Sequence, residues 1–260
     1  MNEIEAFKGQ MMKEFEMTDL CKMTYFIGIE FTKTSEGLVM HQMKYVSDML
    51  KRFNMLSYDP ASSPVEVNMK LVNNEDEELV DPTLFKQIVG SLRYLCNSRP
   101  NIAYSVGIVS RFMSKLISSH LIADKRVTRF IKGTMEYGIL FPKCLNEASM
   151  ELIAYSDEDW CGDRQDRKST SGYLFKFLNA PISWCAKNQL VVALSTCESE
   201  YIVGCLAVWL ESILKEMKIE VNRSIALFID NKSAINLAKI QFCMGGASTL
   251  KQNFTFLENK

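Results

Sequence analysis

The chain has 260 residues, 47% of them hydrophobic and 23% charged, a balance that supports a sizeable core and argues against global disorder. Thirty basic residues stand against 31 acidic ones, so a grossly basic, histone-like protein is excluded while local nucleic-acid patches stay open. No apolar run reaches the roughly 18 residues of a membrane span, and the polar start MNEIEAFKGQ reads neither as a secretory signal nor as an Arg-rich transit peptide.

Ile4, Phe7, Met11, Met12 and Phe15 recur at helical spacing, which predicts a helix over 2–16. MTYFIGIEFTK (23–33) is β-branched and aromatic, and GLVMHQ (37–42) follows a Ser-Glu-Gly turn, so the two read as a hairpin. KYVSDMLKRFNM (44–55) reads as an amphipathic helix. Pro60, Pro64 and the acidic run at 73–79 mark a loop. Asp81 as cap and Pro82 at the first helical position open a helix that the pattern carries to Pro100. Two further helices follow over 101–116 and 118–135. Between residues 84 and 143 ten Lys and Arg stand against two acids, a net of +8. Arg99, Arg111, Lys125, Arg126, Arg129 and Lys132 would carry a phosphate-contacting surface, and a plain solvated helical face accounts for the same charges equally well.

Past residue 136 the period switches from helical to alternating. Strands are predicted over 137–142, 150–157, 172–178, 181–187 and 224–230, the middle two joined by a hairpin around Asn179-Ala180. Residues 191–217 start as a strand end and become a long helix, with Glu198 and Glu200 in its first turn, where negative charge suits the helix dipole. Residues 231–239 read as another helix. Trp184 and Trp209 are expected in the core. A composition break at 143–149 divides the chain into 1–145 and 146–260.

The eight cysteines show no CxxC pair, which makes a structural zinc site unexpected and reduced thiols in an intracellular protein the plain reading. The only histidines, His41 and His120, lie near no nucleophile elbow. Three acids stand out instead. Asp157 and Asp230 each end an apolar strand, and Glu200 lies near the start of a mostly apolar helix. Carboxylates converging at one sheet edge repel each other and call for a divalent cation, magnesium or manganese by ligand type. Two such ions suit phosphodiester hydrolysis. Spacing alone favours the simpler role of capping turns.

The motifs AYSDEDWCGDRQDRKSTSGYLFKF (154–177), ISWCAKNQLVVALSTCESEYIV (182–203) and LFIDNKSAINLAK (227–239) resemble the ribonuclease H domain of copia-type retrotransposon Pol polyproteins. MTYFIGIEF (23–31), YVSDMLKRFNM (45–55), VGSLRYLCNSRPNIAYSVGIVSRFM (89–113) and KRVTRFIKGTMEYGILF (125–141) look like the tail of the same polyprotein's reverse transcriptase and its connection. The resemblance covers essentially the whole chain. It implies an α/β fold: a ribonuclease H-like mixed sheet flanked by helices over 146–260, preceded over 1–145 by a mostly helical, α+β remnant of palm, thumb and connection.

By resemblance Asp157, Glu200 and Asp230 are the catalytic, metal-binding acids, holding two magnesium (or manganese) ions and cutting the RNA strand of an RNA–DNA hybrid. Ser171, Gly172 and Tyr173 would border the hybrid, and Arg164, Arg167 and Lys168 would contact its phosphates. The remainder of a Pol polyprotein is the implied protein partner, and no membrane is. Two departures are expected to matter. The family's fourth metal-ligating Asp is matched to Lys251, which predicts impaired catalysis. The polymerase's YxDD element does not occur in the chain and is expected upstream of MNEIEAFKGQ, so no polymerase activity is expected and apolar surface should be exposed in the N-terminal half. The alternative is a non-catalytic, nucleic-acid-binding retroelement remnant.

Overall fold

The computed structural model describes residues 3–66, 71, 77–113, 116–143, 151–159, 170–188, 206–207, 209–219, 225–229 and 254–258. In the first half, helix α1 (Glu3–Glu14) precedes strands β1 (Tyr25–Phe26), β2 (Ile29–Lys33) and β3 (Gly37–His41). Helices α2 (Met43–Arg52), α3 (Pro82–Leu95), α4 (Ala103–Val109) and α5 (Ser118–Gly133) follow, and strand β4 (Gly138–Pro142) closes the half. These strands form an antiparallel sheet in the order β1-β2-β3-β4, so β4 returns across the whole helical segment to pair with β3. The buried stripe of α2 (Val46, Met49, Leu50) packs on Ile88, Leu92 and Leu95 of α3 and on Val127 and Ile131 of α5. Exposed apolar side chains are dense between residues 4 and 27, among them Ile4, Phe15, Leu20, Phe26 and Ile27.

Asp81 caps α3 as its sequence position predicts: its Oδ1 accepts from the Thr83 backbone N–H at 2.8 Å, with Pro82 at the first helical position. That bond holds the Asp81 carboxyl below its usual range. Stability from a lowered carboxyl pKa is present above the unfolded value and lost as pH falls through the folded one. Asp81→Ala is therefore expected to lower the denaturation midpoint at pH 7, by a margin that closes as pH drops below the ordinary value of 3.8. Paired urea titrations at pH 7 and pH 3 check this.

The helix does not reach Pro100. It ends at Leu95, because the next residues turn inward. Ser98 and Arg99 are buried, Ser98 donating to Gln42 Oε1 at 2.7 Å. The Arg99 guanidinium donates to Thr134 O at 2.8 Å and Thr134 Oγ1 at 2.5 Å, fastening the start of α4 to the end of α5. Proline at 100 disfavours a helical conformation at the residue before it, and Arg99 sits at φ −132°, ψ 73°. The single helix expected over 101–116 is instead a 3₁₀ turn (Pro100–Ile102), α4, and a second 3₁₀ turn (Ser110–Phe112).

The second half contains strands β5 (Leu152–Asp159), β6 (Thr170–Phe177) and β7 (Ala180–Asn188), helical residues 206–207 and 209–216 (α6), and strands β8 (Ile225–Ile229) and β9 (Phe254–Glu258). The sheet order is β7-β6-β5-β8-β9. β7, β6 and β5 run antiparallel to one another, whereas β5 with β8 and β8 with β9 are parallel pairs. The β6–β7 turn lies at Leu178-Asn179, both with positive φ (51° and 63°), one residue earlier than the pattern suggests, and Ala180 is already paired with Phe177. One sheet face carries Ala154, Phe175, Ile225 and Leu227 and packs under Ala207 and Leu214 of α6. Trp209 points away from that core and is 58% exposed, contrary to its apolar reading.

The other face meets the first half of the chain. Trp184 Nε1 donates to the Cys96 carbonyl at 2.7 Å. At Gly107 the α4 backbone comes so close to β7 that a Cβ would lie 2.9 Å from Ala186 O, so no larger residue fits there without displacement. Cys96, near that seam, is a free thiol whose pKa burial pushes up to about 11, which leaves it unreactive.

Candidate functional site

The candidate site is built on β5 and β6. Asp157 lies in β5 with Gly172 opposite it, while Ser171 stands opposite Glu158 and Tyr173 opposite Ser156. In the parallel β5–β8 pair Tyr155 faces Phe228, and their rings stack at 5.1 Å. β8 ends at Ile229, the residue before Asp230. Asp230 itself, Glu200, Arg164, Arg167, Lys168 and Lys251 lie outside the described residues. Among the described residues no three metal-ligating side chains cluster.

Tyr173 is half-buried. Its ring lies 5.3 Å from that of Phe175, and burial raises its hydroxyl pKa against an opposing hydrogen bond with Ser183. Gly172 and Tyr173 line a cleft of about 460 Å³ between this sheet face and the 3₁₀ turn and α4 of the first half. Tyr104, Tyr155 and Trp184 line it together with Pro100, whereas the Tyr173 ring packs with Phe175 toward the α6 core. Sequence reading does not find this cleft, because it forms only where the two halves meet. The alternating aromatics of YLFKF and ISWCA signal strands and give no hint of what covers them.

The basic helices are less available than their charge suggests. Lys132 Nζ donates to Tyr58 O at 2.5 Å and Arg129 Nε to Asp59 O at 2.6 Å. Arg126 pairs with Glu66 at 2.7 Å and donates to Ser63 Oγ at 3.3 Å. Arg99 is buried on Thr134, and its pKa is lowered to about 10 by desolvation. Four of the six cations named for a phosphate surface therefore direct their donors into their own chain, three of them fastening the 58–66 segment to α5. The reason is geometric: a proline-rich loop with open carbonyls crosses that helix face.

β9 runs parallel to β8 and starts level with it, Phe254 beside Ile225. Lys251 precedes β9 by three residues, whereas Asp230 follows β8, whose five residues span about 13 Å. The expectation that Lys251 stands at the fourth ligand position falls outside the described residues.

A reverse transcriptase (RNA-dependent DNA polymerase) family matches residues 1–67. The chain is 37% identical, over 87% of its length, to the retrovirus-related Pol polyprotein from transposon RE1 of Arabidopsis thaliana, and 35% identical, over 91%, to that from transposon TNT 1-94 of Nicotiana tabacum. It spans only 16% and 18% of those two polyproteins. It is also 44% identical, over 44% of its length, to secreted RxLR effector protein 161 of Plasmopara viticola, covering 79% of that protein.

Proposed function

The chain belongs to the retrovirus-related Pol polyproteins of copia-type transposons, and on that premise we propose that residues 146–260 act as a ribonuclease H-type endonuclease on the RNA strand of RNA–DNA hybrids. One observation carries the reading. Asp157 lies two residues past Tyr155, and Asp230 two residues past Phe228, its partner across the parallel β5–β8 pair. The sequence thus delivers one carboxylate on β5 and the other directly after β8, its parallel neighbour. The mixed order β7-β6-β5-β8-β9, with α6 over one face, supports the same fold reading.

The donor chemistry suits hard divalent cations: Asp157, Glu200 and Asp230 offer only oxygen ligands. They would hold magnesium or manganese, two ions where the set is complete, and bound ions would supply activation of water and stabilisation of the leaving oxygen. The chain's own contribution is placement. β5 is anchored on both sides, by β6 and by β8, so a carboxylate on it is held by backbone ladders rather than by a loop. Gly172, opposite Asp157, carries no side chain to crowd that position. On this reading the protein works inside the cell, on nucleic acid and with other portions of a Pol polyprotein. Among the described residues no helix is long and apolar enough to cross a membrane.

The test is cleavage of a labelled RNA–DNA hybrid by the purified chain in magnesium, in manganese and in chelator. Cleavage confined to the metal-containing samples is expected. Absence of cleavage with salt-sensitive hybrid binding decides for the second reading, a non-catalytic retroelement remnant. That reading draws on Asp124, a carboxyl buried on α5 with no hydrogen-bond partner on either oxygen, a cost with no visible return to the fold.

A further inference from the structure

We propose that Arg126, Arg129 and Lys132 on α5 form a binding stripe for a nucleic-acid phosphate backbone, and that residues 56–66 are a strap covering this stripe until such a backbone displaces them. The proposal rests on the reading above that the chain acts on nucleic acid, and adds where the backbone is gripped and what must move first. Placement comes first. The three cations stand three residues apart along the helix, so they share one side of it. Each points a donor at the strap. Lys132 Nζ donates to the Tyr58 carbonyl at 2.5 Å and Arg129 Nε to the Asp59 carbonyl at 2.6 Å. Arg126 reaches the Glu66 carboxylate at 2.7 Å and the Ser63 hydroxyl at 3.3 Å. The strap thus offers oxygen acceptors to the same donors that a phosphate backbone would use.

The quality of that match is second. Among these contacts only Glu66 brings a negative charge, so Arg129 and Lys132 meet neutral carbonyls. Arg126 Nε is shut away from solvent with no hydrogen-bond partner among the described residues. A phosphate backbone offers every cation a charge, in a geometry that suits the guanidinium fork. The cost of lifting the strap is third. None of residues 56–66 is buried, and Leu56 and Tyr58 are each 45% exposed. The core stops just before the strap, at Met55, which packs in the cluster with Leu50. The strap's further ties to α5 among the described residues are the Ala61 N–H bond to Arg129 O at 3.3 Å and the contact of Pro60 with Gly133. A segment with exposed hydrogen bonds and no buried apolar side chain belongs to the least stable part of a fold. An acidic protein surface would also meet these cations, but a phosphate backbone repeats its charge along a line, as the stripe does.

Gly133 provides the lever for a test. A Cβ there would lie 2.9 Å from Pro60 Cβ, so Gly133→Ala pushes the strap outward and leaves every cation in place, while alanine suits a helix better than glycine. The experiment measures anisotropy of a labelled RNA–DNA hybrid with the full chain in chelator, across a salt series. Gly133→Ala is expected to bind about threefold to tenfold more tightly than wild type, with a steeper salt dependence. Adding Lys132→Gln to Gly133→Ala lowers the salt slope by about one and removes most of the gain. Hydrogen exchange reads the strap itself: the Ala61 amide is expected to exchange at least about threefold faster in the hybrid complex than in the free chain. Poly-glutamate that releases Ala61 as effectively as the hybrid would assign the stripe to acidic polypeptides and overturn the nucleic-acid form. Unchanged or slower exchange at Ala61 in the hybrid complex overturns the proposal outright. So does a Gly133→Ala chain that folds normally by circular dichroism, exchanges faster at Ala61 and binds the hybrid as wild type does. Cleavage separates the two readings: metal-dependent cleavage with Ala61 exchange unchanged by the hybrid removes the strap alone, and no hybrid binding by wild type or Gly133→Ala removes both.

Discussion

Asp157→Asn is expected to lower metal-dependent hybrid cleavage by about a hundredfold or more while leaving hybrid affinity nearly unchanged. An ion that stabilises developing charge contributes several kcal/mol to the transition state, and about 3 kcal/mol corresponds to roughly a hundredfold in rate. Asparagine keeps the shape of the side chain and removes one charged oxygen ligand, so the loss falls on the chemical step and not on docking. Lys251→Asp supplies the contrast. If Lys251 replaced a metal ligand, restoring a carboxylate would raise the rate steeply. A steep gain in the Lys251→Asp chain is the result expected from a lost ligand, and no change would put the fault elsewhere. Unchanged cleavage in Asp157→Asn would remove β5 from the chemistry. Single-turnover rates on one hybrid, with affinities measured in chelator, read all of these outcomes.

The strands were legible because alternation is a local property. Residues 150–157, 172–178, 181–187 and 224–230 each carry the period-2 pattern, and each falls within or beside an observed strand. Asp81-Pro82 was equally plain, since a cap and a first-turn proline act within one turn. The failures lie where distant residues decide. The end of α3 depends on Gln42 receiving Ser98 and on Thr134 receiving Arg99, partners far away in sequence. The basic run at 99–132 looks like an exposed surface until the 58–66 segment is laid across it. The strand carrying Asp157 could be read from sequence. The cleft beside it could not, since its walls come from α4, β5, β6 and β7 together.

Asp124 is expected to make the protein several kcal/mol less stable at pH 8 than at pH 4, and Asp124→Asn to abolish most of that difference. The residue sits on the inner face of α5, wholly buried, between Ala123 and Val127 of two apolar clusters. Neither carboxyl oxygen has a hydrogen-bond partner, and burial raises its pKa from 3.8 to about 8. His120, one turn earlier on the same helix face, stacks on Phe112 at 4.0 Å. A group whose folded pKa is raised adds stability in full below its unfolded pKa and loses it as pH climbs through the folded value. The decline therefore begins near pH 4, where the unfolded chain starts to ionise, and levels off near pH 8, where the folded chain does too. Its size is on the order of 5 kcal/mol, a large part of the margin by which a domain is stable. Asparagine keeps an unpaired polar group inside, so it should flatten the pH profile without raising the low-pH plateau. Valine removes the polar group and fits similar space, so Asp124→Val should raise stability at every pH, most of all above pH 7. Urea unfolding of the three chains at pH 5, 6.5 and 8 measures this directly. A wild-type profile as flat as that of Asp124→Asn would mean the carboxyl is solvated or paired after all, and the packing of α5 against α3 and α4 would have to be redrawn around it.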